Sequence, residues 1–230
     1  MRFSICIIEM EGYRFSHFLY DLCKYLCFTI EALGYDCCMV KNQFYSDRIN
    51  IILGSHYLSD LKIAQQIRQS GKYIILQSEV LREGGISGWP DQSSYYKIYV
   101  PLMQKATAVW HGVESNDQYF AKLGIQAEKI PKFGYLPALE EITYTKKNKD
   151  IDFLYYGSIT PHRRKLIDAL IKLGGKVVCI FDEAAIFRND YIARTRVHLA
   201  PNQSPGINHI TAKTLYLLNN RAIVVVENCH

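Results

Sequence analysis

Apolar runs of strand length alternate along this chain with longer segments of helical period, the pattern of parallel α/β sheets. Phe3 to Glu9 predicts a buried strand, and Phe15 to Leu33 a helix with apolar residues at i, i+3 and i+4 that ends at Gly34. Strands are expected at Asp36–Val40, Asn50–Leu53, Tyr73–Gln77 and Ala108–Trp110. Helices are expected at Ser59–Gln69, Lys97–Lys105 and Ser115–Leu123, two of them stopped by Gly71 and Gly124. Arg82 to Ser94, with Gly84, Gly85, Gly88 and Pro90, has no period and reads as a loop. A second βα series starts at Ile151–Tyr156 and continues through Arg163–Leu173, Lys176–Phe181, Glu183–Arg194, Val197–Ala200, Thr211–Asn219 and Ala222–Val226.

The polar stretch between the two series sets the expected domain organisation. Residues 1–136 form an N-terminal Rossmann-like lobe, 137–150 a linker and 151–230 a C-terminal lobe. With 230 residues, 49% of them hydrophobic, two small cores fit the chain. The net charge of +5 is spread along the chain, and the dense run from Lys146 to Lys149 falls in the linker. A small anionic ligand suits this distribution better than a nucleic-acid track. Seven cysteines with no Cys-x-x-Cys, and a first strand with no leader before it, suggest a reducing, cytoplasmic setting without structural zinc. Cys23 and Cys27 fall among apolar helix positions and read as core thiols, while the neighbours Cys37 and Cys38 point to opposite faces of a strand. No apolar stretch is long enough to span a bilayer.

In open parallel sheets, ligands gather where the strands end at their carboxyl termini. Tyr156-Gly157-Ser158, followed by Thr160 and a helix start near His162, brings a small flexible turn to a helix N-terminus, a geometry that suits phosphate. Arg163 or Arg164 is placed to pair with a diphosphate. The same residues also fit an ordinary glycine turn with a capping threonine and two solvated arginines. Asp182 follows the next strand. The loop from Asn202 feeds His209, Thr211 and Lys213 into a helix start, where a lysine opposes the helix dipole and an anion would compensate it. In the first lobe His17, with Glu79 second, is the expected general base. Neither Gly-x-Gly-x-x-Gly nor a P-loop occurs, which argues against dinucleotide dehydrogenases and P-loop enzymes.

Asp150 to Ser158 followed by His162 to Leu170 resembles the start of the C-terminal domain in bacterial group 1, CgeB-like glycosyltransferases. Tyr216 to Glu227 is similar to their last nucleotide-domain helix and strand, and Val109-Trp110, Asn116 and Lys132 to Tyr135 also look similar. The resemblance implies the GT-B architecture and a sugar transfer from a nucleotide-sugar donor to an acceptor hydroxyl. No metal and no further cofactor are expected, on the reading that no Asp-x-Asp holds a divalent ion against the diphosphate and that cations and helix ends neutralise it instead. Gly157 and Ser158 then match a phosphate-side loop, Arg163 and Arg164 basic positions after it, and Lys213 a cationic position. Two features depart from the family. The glutamate pair usual on the last nucleotide-binding helix is missing from Thr211 to Asn220, and the chain ends at His230, before the elements that complete such a lobe. A non-catalytic nucleotide-binding or interaction protein, or a Rossmann-like enzyme of another class, is the alternative.

Overall fold

The structure, a computed structural model, describes residues 1–9, 19–86, 94–130, 134–144, 148–181, 185–202 and 212–227. Contacts divide the chain into two units, Met1–Lys132 and Phe133–His230.

The first unit is built on a parallel sheet of six strands: β1 (Arg2–Ile7), β2 (Asp36–Lys41), β3 (Ile49–Leu53), β4 (Tyr73–Gln77), β7 (Ala108–His111) and β8 (Ala127–Lys129). The strands lie in the order β2-β1-β3-β4-β7-β8. The order reverses between β1 and β3, which makes that gap the switch point of the sheet. Alternation along β1 and β3 sends Ile5, Ile7, Ile51 and Leu53 to one face, against Cys23 and Cys27 of α1 (Tyr20–Ala32). Cys6, Ile8 and Ile52 go to the other face, with Ala64 and Ile67 of α2 (Leu61–Gln69). Cys23 and Cys27 are therefore packed core thiols, and burial raises both, Cys23 well above the usual thiol range.

The aperiodic stretch after β4 holds a small hairpin, β5 (Leu81–Arg82) with β6 (Gly85–Ile86), turning at Glu83-Gly84. Residues 87–93 lie outside the described residues. A π-helical turn at Tyr95–Tyr99 then leads into α3 (Val100–Gln104), and α4 (Asp117–Lys122) connects β7 to β8. The helix expected at Lys97–Lys105 thus begins earlier, because Tyr95, Ile98 and Tyr99 are drawn into the core beside Leu102.

The second unit has a four-stranded parallel sheet: β9 (Ile151–Tyr156), β10 (Val177–Ile180), β11 (Thr195–Ala200) and β12 (Val224–Val226), in the order β10-β9-β11-β12. Helices α5 (Pro161–Lys172), α6 (Ala185–Arg194) and α7 (Ala212–Asn219) connect them. Its switch point falls between β9 and β11. The stretch expected as a linker packs on α7. Asn219 accepts the Leu136 amide at 2.7 Å and donates to the Gly134 carbonyl at 3.1 Å. Asn220 accepts the Ile142 amide at 2.8 Å and donates to the Leu139 carbonyl at 3.2 Å. Leu139 and Ile142 are buried. No helix among the described residues is long and apolar enough to cross a membrane.

Asn50 on β3 is fully buried, and its side chain organises the amino-terminal edge of the first sheet. It accepts from the Ser4 hydroxyl at 2.8 Å and the Tyr45 amide at 2.9 Å, and donates to the Tyr45 carbonyl at 2.8 Å. Each buried polar group left without a partner costs roughly 1–3 kcal/mol. Asn50→Leu should therefore lower stability by about 3 kcal/mol in urea denaturation. A loss under about 1 kcal/mol would show that Ser4 and Tyr45 find other partners.

Candidate functional site

The second sheet brings its post-strand turns together at one edge, and Arg163 is the side chain that joins them. Thr160 caps α5, its hydroxyl accepting the Arg163 amide at 3.4 Å, with Pro161 in the first helical turn. This fixes Arg163 one turn in. Its Nε donates to the carbonyls of Pro201 and Asn202 at 3.3 and 3.1 Å, beyond β11. Its Nη1 donates to the Ser158 carbonyl at 3.0 Å and hydroxyl at 3.3 Å, beyond β9. Arg163 is buried across the switch point, yet its partners are neutral and it meets no carboxylate in an ion pair among the described residues. The guanidinium keeps its charge in any such setting.

Lys213, in the first turn of α7, brings a second cation to the same place. Its Nζ lies 4.3 Å from the centroid of the Tyr155 ring and 4.7 Å from that of Tyr156. A Cβ added at Gly157 would meet this Nζ at 3.4 Å and the Tyr155 hydroxyl at 3.3 Å, and Gly157 has φ +125°, a conformation side chains avoid. The Tyr155 hydroxyl donates to the Ser158 carbonyl at 2.6 Å, which holds the turn in place. Tyrosine ring faces favour the charged lysine. Burial and the charge of Arg163 outweigh them and push the Lys213 ammonium down to about 7.

Glu227, the first residue after β12, completes this edge. It binds His162 Nε2 at 2.9 and 3.0 Å through its two oxygens and accepts the Asn202 amide at 2.9 Å. Burial raises its carboxyl, but the hydrogen bonds from His162 and Asn202, with the charges of His162 and Arg163, prevail and hold it below the usual range.

Gly157, Ser158, Arg163 and Lys213 thus come together. Arg164 does not join them: it is exposed on α5, where its charge bears on Cys179 of β10. Asp182, His209 and Thr211 lie outside the described residues, as does His17 in the first unit. Sequence reasoning missed Tyr155, Tyr156, His162 and Glu227. Glu227 follows a strand directly, so the strand-end rule that singled out Ser158 was able to find it. The expectation that no Asp-x-Asp is present is wrong, since Asp150-Ile151-Asp152 is one, but it stands at the start of β9, at the opposite end of the strand from Ser158. Asp150 is held there by Arg194, and Asp152 accepts the Lys176 amide at 3.0 Å.

In the first unit Glu79 follows β4. Its carbonyl accepts from Gln77 at 2.8 Å and Asn116 at 2.9 Å, and Asn116 in turn accepts the Leu81 amide at 2.8 Å. Burial raises the Glu79 carboxyl, opposed by the Ser78 hydroxyl. The Tyr99 hydroxyl donates to Gln77 beside it. His56, after β3, is pushed down to about 3 by burial and is neutral.

No protein-family model matches this chain, and no curated protein does. Among solved structures it is similar to an alpha-glucosyltransferase in complex with UDP and a 13-mer DNA containing a central A:G mismatch, with a TM-score of 0.57 and 10% identity over 98% of this chain and 79% of that one. At that identity the likeness speaks to the fold. The chain has an α/β fold of two Rossmann-like parallel-sheet lobes, GT-B-like in kind. The narrower CgeB-like resemblance gains no support from these matches.

The Lys213 shift fixes the sign of a stability effect. The folded protein releases this proton near pH 7, whereas the unfolded chain holds it up to its ordinary value of 10.5. Between the two the unfolded state binds more protons, so stability rises with pH across that window, and below pH 7 the cost of burying the cation is complete. Lys213→Met should melt above wild type at pH 6, a gain on the order of 1 kcal/mol being about 2–4 °C at this size. The gap should narrow toward about pH 9. A variant that melts below wild type at pH 6 would contradict the burial of an unbalanced charge.

Proposed function

We propose that the second lobe binds the diphosphate of a nucleotide-sugar, and that the protein transfers the sugar to an acceptor hydroxyl without a metal. The observation that carries the reading is the meeting of Arg163 and Lys213, which pair with no carboxylate among the described residues, beside a glycine turn at the switch point of a parallel sheet. Among the described residues Arg163 makes no hydrogen bond through Nη2, which leaves that arm of the fork for a phosphate oxygen. The solved glucosyltransferase of similar fold binds UDP, which supports a nucleoside diphosphate as the anion.

Sugar transfer builds negative charge on the leaving diphosphate. Cations fixed in advance at that charge lower the barrier most where water is scarce. Arg163 is always charged, and Lys213 becomes charged as the phosphate arrives, since a neighbouring anion raises an amine's affinity for its proton. The acceptor hydroxyl loses its proton to a residue of the first lobe. His17 is the first candidate, and Glu79 the second. The Glu79 carboxyl, raised by burial, is closer to the working range of a base than an exposed one.

Calorimetry with uridine, guanosine, thymidine and cytidine diphosphates should find one that binds. Because the anion draws a proton onto Lys213, affinity should be highest below pH 7 and fall as pH rises above it. Binding at about pH 8 should take up a fraction of a proton, read from buffers of different ionisation heat. No heat from any of the four with folded protein sinks the donor reading. Lys213→Ala should reduce turnover about a hundredfold. His17→Ala or Glu79→Gln should lower turnover and leave nucleotide affinity unchanged, and a loss of affinity in either would place that residue with the donor instead. Tight nucleotide binding without hydrolysis or transfer would leave a binding protein.

A further inference from the structure

We infer that Lys213 is a covalent capture site for phosphorylated aldehydes: its Nζ forms an imine with the aldehyde carbon while Arg163 and the Gly157-Ser158 turn hold the phosphate.

An amine attacks a carbonyl only through a lone pair, which an ammonium lacks. Lys41 and Lys129 pair with acids, with Glu9 at 2.8 Å and Glu114 at 3.3 Å, while Lys149, which burial also lowers, donates to the Ala193 carbonyl at 2.5 Å. Lys213 has no such partner among the described residues. It lies on two tyrosine rings, and its burial and the charge of Arg163 outweigh their pull on the cation and favour the neutral amine. Desolvation by apolar surroundings or a neighbouring cation is the general way in which lysines become nucleophiles.

Gly157 adds the geometric condition. The turn runs directly beside the amine: the Cβ position of Gly157 is 3.4 Å from Nζ and 3.3 Å from the Tyr155 hydroxyl, and the φ of +125° there favours glycine. The phosphate requirement comes from the same turn. The Ser158 hydroxyl, the N-terminus of the twelve-residue helix α5 and the Arg163 guanidinium all lie at that strand end. An aldehyde without phosphate lacks this anchor. The anchored phosphate also draws a proton to Lys213, so attack comes from the fraction of the amine that stays neutral.

The step balances without oxidant or reductant. The Nζ lone pair forms a bond to the aldehyde carbon, both amine protons pass to the carbonyl oxygen, that oxygen leaves as water, and a C=N bond remains. Open-chain sugar phosphates and pyridoxal phosphate belong to the reacting class. That the adduct also shuts the donor site rests on the reading proposed above; the capture itself does not.

The test uses the full chain with pyridoxal 5′-phosphate near neutral pH, borohydride to trap the imine, and mass spectrometry to map the lysines. Lys213 should be labelled about tenfold or more above each surface lysine, since an amine near its titration midpoint is far richer in the neutral form than one of ordinary basicity. Lys213→Arg, which keeps the charge, should lose this label and keep the circular dichroism of the wild type. Pyridoxal without the phosphate should label Lys213 about tenfold less, by loss of the charge-assisted anchor. Label spread evenly over surface lysines, or equal labelling by pyridoxal, overturns the inference. Excess nucleoside diphosphate separates the two readings. Protection of Lys213 ties the capture to the donor site, whereas selective labelling without protection upholds the capture and removes the donor from this place.

Discussion

An unbalanced positive charge at the carboxyl edge of the second sheet governs the arrangement around it. A parallel sheet with helical connections sends every post-strand turn to the same edge, where loops rich in carbonyl groups crowd together. Arg163 satisfies those carbonyls from Ser158, Pro201 and Asn202, so its hydrogen bonds go to neutral partners, and among the described residues its charge acts on the Glu227 carboxylate without an ion pair. Guanidinium does not release a proton, and Lys213 next to it does. The acid nearest to hand, Glu227, is engaged by His162 and the Asn202 amide. Among the described residues the edge thus joins its loops through hydrogen bonds while Arg163 meets no carboxylate in an ion pair.

The corresponding edge of the first sheet has another character. The described residues after its strands include Glu9, His56 and Glu79. His56 is kept neutral by burial, and Glu9 is paired with Lys41 at 2.8 Å. Gln77, Tyr99 and Asn116 organise the turn at Glu79 through uncharged hydrogen bonds, two of them to its backbone carbonyl. One topology thus yields a cationic strand-end edge in one lobe and a neutral-to-acidic one in the other, with side chains alone making the difference.

The strands and most helices were legible because burial on two faces demands continuous apolar runs, as at Ile151–Tyr156 and Tyr73–Gln77. β8 was not legible, since an edge strand of three residues with Glu128 and Lys129 exposed carries no apolar signal. The residues after β9 pointed to a turn, and Gly157, Ser158 and Arg163 meet there. What the sequence hid was the partner of each group. Nothing local separates Arg163, turned in toward three carbonyls, from Arg164, turned out to solvent. The pairing of His162 with Glu227 spans 65 positions, and the tyrosine rings against Lys213 come from a strand 57 residues earlier. Such pairings are set by the packing of the sheet and leave no trace in spacing.

The adjacent Asn219 and Asn220 have a consequence for how the protein can be divided. Their amides bind the main chain of Gly134, Leu136, Leu139 and Ile142, so the segment ahead of β9 is a working part of α7's surroundings. A second lobe cut at Ile151, where the apolar pattern resumes, would strip both asparagines of these partners and uncover the pocket of Leu139. The helix losing that support is the one that carries Lys213 at its other end. The physical beginning of the second lobe is thus near Gly134, and a fragment meant to retain the cationic edge has to start there.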